Sequence, residues 1–373
     1  MGTYSVVVSV VLLCCLIGSA PAVAVAPPIL VSPPASPDDV QPPPIPSAGL
    51  SLGDGVTSSL GVCDPSRLAL SYERPEHCRL VRSQEPEASP PERPDASVET
   101  RTGPNPWIDV LIAGLTLGGS AANSFTDGPH KPYHFTQEGW FGETTYAGGS
   151  DKASHFVSYY VVSKELTNLY RRLGHSERES LWLGFGVAAA AGLVTEIGDG
   201  TTRFGFSYED LVMDTLGAAS AALIAHYRAD DLVGFRGGFL VPVTGASTCC
   251  QVAGFGRDYS NEIYTADLKF GGLARRLGVP IGPLKYLLFS VTYGSKGYPY
   301  ALPEDRERQV GLEVGLNLQE ILNDIGVTRD PWWGYALHMV ADNIRFPFTA
   351  VGFRYDLNSG RWCGPDNGNK FCR

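Results

Sequence analysis

Residues 150–228 read SDKASHFVSYYVVSKELTNLYRRLGHSERESLWLGFGVAAAAGLVTEIGDGTTRFGFSYEDLVMDTLGAASAALIAHYR, and this stretch decides the fold class. Long helix-compatible runs alternate with short breaks rich in Gly and Ser. Ser150 predicts the N-cap of a helix running to about Leu173, and Gly174-His175-Ser176 then turns the chain. Ser176 and Glu179 have capping-box spacing, in which each side chain satisfies a backbone amide that the first helical turn leaves orphaned. A second helix is therefore predicted to about Ile197, ended by Gly198-Asp199-Gly200. Ser207 with Asp210 gives a weaker version of the same signal for a third helix, reaching His226 or Arg228. Upstream, Pro106 suits a first helical position because its missing amide hydrogen is not needed there. The apolar run from Trp107 to about Ser120, with Asp109 near the positive helix end, predicts a further helix. A Gly- and Tyr-rich connection, Phe125 to Gly149, lies between. The expectation is a mainly α bundle of about four helices over residues 104–230.

The candidate chemistry lies on these helices. Asp151 and His155 are four apart and so share one helix face, as do Asp210 and Asp214. Glu196 closes the middle helix. Small residues line the same faces: Ala188, Ala189 and Gly192 below Glu196, then Gly217 and Ala221 in register with Asp214. Small side chains let helices approach closely, which predicts that the polar groups meet at one end of the bundle. Carboxylates gathered in a desolvated site must be protonated, paired or metal-bound, and Lys152, His155 or Arg203 are available partners. Asp151, His155, Glu196, Asp210 and Asp214 are the candidate catalytic residues. Of these, His155, Glu196, Asp210 and Asp214 are the candidate metal ligands. The competing reading is purely structural. Asp151 and Asp210 then complement the helix dipole, at about 0.3–1 kcal/mol each, while His155 packs and Glu196 bonds the following loop. No cofactor is identified by these residues.

The region 231–373 changes period. Arg308 to Leu318 alternates, with Val310, Leu312, Val314, Leu316 and Leu318 on one face, which predicts a half-buried strand. Leu284–Tyr293 and Phe346–Tyr355 are strand-like by their aromatic and β-branched content, and Asn261–Leu277 reads as helical. Gly-rich alternating strands suggest an outer-membrane barrel, but such barrels need at least eight strands of roughly ten residues. The expectation is a small α+β appendage with short strands.

The N-terminal part reads as export signal and spacer. Val6–Ile17 is an apolar run followed by small residues, with A-x-A cleavage options after Ala22 or Ala24, although no Lys or Arg precedes Arg67. This gives a signal peptide over 1–24. Of the 28 prolines, 17 fall between Pro21 and Pro104, predicting a disordered, Pro-rich tether over 25–103. Six cysteines follow the signal: Cys63, Cys78, Cys249, Cys250, Cys363 and Cys372. An even number in an exported chain predicts disulfides, with Cys63–Cys78 and Cys363–Cys372 as the natural loop pairs. A formal charge of −10 argues against nucleic acid as partner. A membrane surface or other envelope component remains the expected contact. The longest charge-free helical stretches, Val110–Thr126 and Ser180–Thr195, hold 17 and 16 residues. A membrane span needs roughly 20, which favours a soluble or peripheral bundle.

Three motifs in order carry a family resemblance: Tyr146-Ala147-Gly148-Gly149-Ser150-Asp151-Lys152-Ala153-Ser154-His155-Phe156, then Glu196-Ile197-Gly198-Asp199-Gly200, then Gly205-Phe206-Ser207-Tyr208-Glu209-Asp210-Leu211 with Asp214 and Gly217. Together they resemble the YfiM-like family of bacterial periplasmic lipoproteins with a domain of unknown function. More distantly they are similar to the VanZ-like helical domains, which share a D-K-x-x-H-F opening. The resemblance covers about Trp107 to Arg228, with a weaker match around Asp258-Tyr259 and Tyr293-Gly294; it implies an envelope location and brings no established activity. The chain lacks the family's lipobox. Sequence motifs of other enzymes are missing: no G-x-S-x-G, no G-x-x-x-x-G-K-[ST] and no H-E-x-x-H occurs. Two functions stay open. One is an exported, envelope-associated binding or structural protein ordered by the Asp/His/Glu cluster. The other is a metal-dependent or acid/base hydrolase acting on an envelope lipid or glycan.

Overall fold

The computed structural model describes residues 104–126, 131–239, 259–260, 262–298 and 306–366, all within one compact unit of the chain. The segments read as signal peptide and tether, and the cysteines expected to pair, lie outside the described residues, apart from the backbone of Cys363. Among the described residues four helices come first: α1 (Pro106–Thr126), α2 (Ser150–Arg172), α3 (Glu177–Asp199) and α4 (Tyr208–His226). A two-stranded parallel ribbon, β1 (Phe135–Thr136) with β2 (Phe206–Ser207), ties the connection before α2 to the start of α4.

Local chemistry accounts for the helix ends. Ser176 and Glu179 form the reciprocal capping box expected at α3, and the Ser207 hydroxyl accepts from the Asp210 amide at α4. At α2 the cap falls one residue earlier than predicted. Gly149, with φ of +95°, takes the left-handed conformation that glycine adopts without strain, and Ser150 is already helical. A Cβ at Gly149 would also lie 2.4 Å from the Phe141 ring.

The most polar helix sits in the middle. Val162, Leu166, Leu169 and Tyr170 of α2 pack with Ile112, Ala188 and Ala218 of the three other helices. On the next part of α2, Val157, Tyr160 and Val161 pack with Ala221 and Tyr264. Small residues make the close approach possible: a Cβ at Gly217 would lie 2.0 Å from the Phe156 carbonyl oxygen. Among the described residues, α3 alone is long and apolar enough to cross a membrane by length and composition.

The C-terminal part corrects the expected small appendage. It holds a seven-stranded mixed sheet in the order β7-β3-β4-β5-β6-β8-β9. The strands are β3 (Val233–Phe239), β4 (Glu262–Lys269), β5 (Leu287–Lys296), β6 (Glu307–Leu316), β7 (Ile344–Arg345), β8 (Ala350–Asp356) and β9 (Arg361–Asp366). Pairing is antiparallel except for β3 with β7. Helices α5 (Phe270–Leu277), α6 (Leu318–Asp324) and α7 (Trp332–Asn343) fill the connections. Within the stretch read as helical, Asn261–Leu277, residues Glu262–Lys269 form strand β4 and Phe270–Leu277 form α5. The period of Arg308 to Leu318 is as expected, but the buried half is the polar one: Gln309 and Glu313 are buried while Leu312, Val314 and Leu316 are exposed.

The two parts are joined through α2. Phe156 and Tyr160 meet Phe235 of β3 edge-on. Lys164 donates to Asp342 of α7 at 2.5 Å, and Lys269 of β4 reaches the other oxygen of the same carboxylate at 2.6 Å. All three groups are buried. Glu165 accepts from Tyr335 and Asn343 of α7, so neighbouring polar residues of α2 are anchored on the same helix.

Candidate functional site

All five sequence-derived residues come together at one end of the bundle. Asp151 and His155 lie one turn apart on α2, Asp210 and Asp214 one turn apart on α4, and Glu196 sits in the last turn of α3. The link between α2 and α4 is a hydrogen bond of 2.8 Å from His155 Nδ1 to Asp214 Oδ1. With Nδ1 engaged, Nε2 faces Asp151 Oδ1 at 3.8 Å and Asp210 Oδ1 at 3.9 Å. Glu196 Oε1 stands 3.9 Å from Nδ1, and its other oxygen accepts from the Ser207 amide. Gly192 provides room for Asp214, because a Cβ there would lie 2.7 Å from Oδ2.

Lys152 is the second organiser. Its ammonium contacts Glu138 at 2.6 Å, Asp210 at 2.7 Å and Asp151 at 2.8 Å. Tyr259 also donates to Asp151 Oδ1. Of the three partners foreseen for the carboxylates, Lys152 and His155 take part and Arg203 does not; its guanidinium stacks on the Phe204 ring. Glu138 was missed because it lies in the connection before α2, outside any helical pattern. Tyr259 enters from just ahead of β4, more than a hundred residues from Asp151. Glu209 was also overlooked. It is buried and accepts from the Gly139 amide, holding that connection against α4.

Carboxylates outnumber cations here: Glu138, Asp151, Glu196, Asp210 and Asp214 surround Lys152 and His155. Burial, reinforced by Asp151, pushes Glu138 up to about 9. Burial also pushes Asp214 up to about 6 and raises Glu196 and Asp210. Asp151 goes the other way: burial opposes its ionisation, but Lys152 and His155 hold it below the usual carboxylate range. Burial disfavours the charged His155, yet Asp210 and Asp214 raise it well above its ordinary value. The end of the bundle is thus short of positive charge.

A cavity of about 120 Å³ opens beside the cluster, lined among others by Glu138, Asp151, His155, Asp210, Phe204 and Tyr259. That is room for a small ion with a few waters, well below the several hundred Å³ of an organic-ligand pocket. Among the described residues, two sets of three donors each have their ligand atoms within 4.8 Å of one another: Asp151, His155 and Asp210, and His155, Glu196 and Asp214.

Residues 137–226 match the model of a family described as "Predicted periplasmic lipoprotein (DUF2279)". That description agrees with an exported protein of the periplasm or cell envelope. The matched segment contains Glu138 and all five candidate residues. No curated protein and no solved structure matches the chain.

Proposed function

We propose that this is an envelope-associated binding protein whose helical part, residues 104–230, holds a divalent cation, with residues 231–373 as its scaffold. One observation carries the reading: Asp214 occupies His155 Nδ1, so Nε2 is presented between the carboxylates of Asp151 and Asp210. Metal-ligating histidines commonly give their other ring nitrogen to a carboxylate in this way, which fixes the tautomer and the ring orientation. Asp151, His155 and Asp210 would be the ligands, Asp214 the orienting partner, and Glu196 the group that secures the neighbouring loop. Carboxylate oxygens with one imidazole suit a hard or borderline divalent ion. The relationship to YfiM-like and VanZ-like proteins is part of this proposal.

A hydrolase acting on a lipid or glycan finds less support, because the cavity suits an ion with water better than an organic substrate. The test is calorimetric titration of the mature chain with Mn²⁺ and Ca²⁺. One site is expected in the parent and none in Asp210→Asn or His155→Ala. Absence of binding in the parent, together with destabilised variants, would leave a structural network as the role of the cluster.

A further inference from the structure

The sheet is polar on its buried side and apolar on its exposed side. Glu313 bonds both Arg345 and Arg354 on the buried face, where Arg236 also pairs with Asp267. Glu313, Arg345 and Arg354 are each at most 2% exposed. Arg345 belongs to β7 and Glu313 to β6, with three strands between them in the sheet order, so the sheet curls round its charged face.

The opposite face is set by register. One row across the strands is Tyr293, Val310, Tyr355 and Trp362; the next is Val291, Leu312 and Phe353. Phe289, Val314 and Val351 make a third row, and Leu287 with Leu316 a fourth. No charged residue occurs in these rows. Phe353 is 54% exposed, Val351 60% and Trp362 71%. Water would favour the reverse arrangement, since apolar burial drives folding.

We propose that this face of β5, β6, β8 and β9 contacts the hydrocarbon of a lipid bilayer. Three features select lipid acyl chains over a protein partner. The polarity is that of lipid-facing strands, apolar outward and polar inward. Tyr355 and Trp362 of the first row are aromatic, like the girdle such strands place at the membrane interface, while Tyr293 meets the Phe141 ring edge-on and donates to the Gly148 carbonyl. On β6 the uncharged outward positions from Val310 to Leu316 span about 20 Å at ~3.4 Å per residue, close to the ~25 Å apolar band of membrane barrels. Charge returns at both rims, with Arg308 one outward position beyond Val310 and Lys285 two residues before Leu287. The face therefore complements an apolar slab bounded by headgroups. Among the described residues the sheet is open, so the unpaired backbone groups of its edge strands β7 and β9 require water, headgroups or other protein groups, and the proposed contact is made by the face alone.

The experiment uses the mature full chain and neutral phosphatidylcholine vesicles at high salt. The parent is expected to float with the vesicles, and Leu312→Lys with Val314→Lys to lower its partitioning by roughly tenfold or more. A photoreactive benzoylphenylalanine replacing Phe353 keeps the test independent of how the lysine variant folds. Cross-linking to phospholipid is the expected result. Cross-linking to a second copy of the chain or to another protein, with none to lipid, would overturn the proposal.

Discussion

His155 and Asp214 are 59 residues apart in sequence, and their side chains meet at 2.8 Å. This contact joins the central polar helix to α4 and decides which imidazole nitrogen faces the cavity. Asp214→Asn preserves the shape of the side chain while weakening its hold on the ring. Loss of an orienting partner typically costs 10–100-fold in metal affinity, so Mn²⁺ binding is expected to fall by about that factor with the fold retained. Unchanged affinity in this variant would remove Asp214 from the site.

The charge imbalance predicts a distinctive pH profile in the absence of divalent cations. Glu138 and Asp214 are raised by burial, to about 9 and about 6, from ordinary values of 4.5 and 3.8. A carboxyl with a raised folded-state pKa contributes stability that is complete below its unfolded value and is lost as pH rises through the folded one. Thermal stability measured in chelator should therefore fall between about pH 4 and pH 9, and added divalent cation should flatten the fall. Stability that rises steadily to pH 9 would contradict the charge deficit.

Asp342 behaves oppositely. Burial opposes its ionisation, but Lys164 and Lys269 hold it well below the usual carboxylate range. Its contribution is present above the unfolded value of 3.8 and is lost as pH falls through the depressed folded value. Asp342→Asn strands two buried ammonium groups, and breaking a buried pair from one side costs about 3–5 kcal/mol. Urea denaturation at neutral pH should show a loss of that order. A loss below about 1 kcal/mol, the range of exposed pairs, would mean that the lysines find other partners.

Gly217 sets the spacing of α2 and α4. An added Cβ would lie 2.0 Å from the Phe156 carbonyl oxygen, which cannot move without moving the helix backbone. Gly217→Ala is expected to cost about 1–3 kcal/mol through overpacking, read by denaturation. A change within about 0.5 kcal/mol, typical of surface positions, would show that the helices are not held in register here.

The helical part and most of its site could be read from local chemistry. The Ser176–Glu179 box, the i,i+4 pairs and the Gly and Ala positions each depend on spacing along one chain segment. Glu138 and Tyr259 could not be found that way, because a loop and the distant segment just ahead of β4 deliver them through tertiary packing. The sheet was underestimated for two reasons. Glu262–Lys269 runs without a clear break into the real helix α5, so two elements read as one. Alternation in Glu307–Leu316 identifies a strand, but it does not say which face is buried; that depends on what lies outside the sheet. Gly149, and not Ser150, is the cap: the chain enters α2 through a left-handed residue, and the Phe141 ring leaves no room for a Cβ there.

A divalent ion held between α2 and α4 would be visible by anomalous scattering from a crystal grown with Mn²⁺. One peak is expected within about 2.0–2.6 Å of His155 Nε2 and of oxygens from Asp151 and Asp210, with Asp214 still on Nδ1. No peak at saturating Mn²⁺, with the Lys152 ammonium still bridging Asp151 and Asp210, would contradict it.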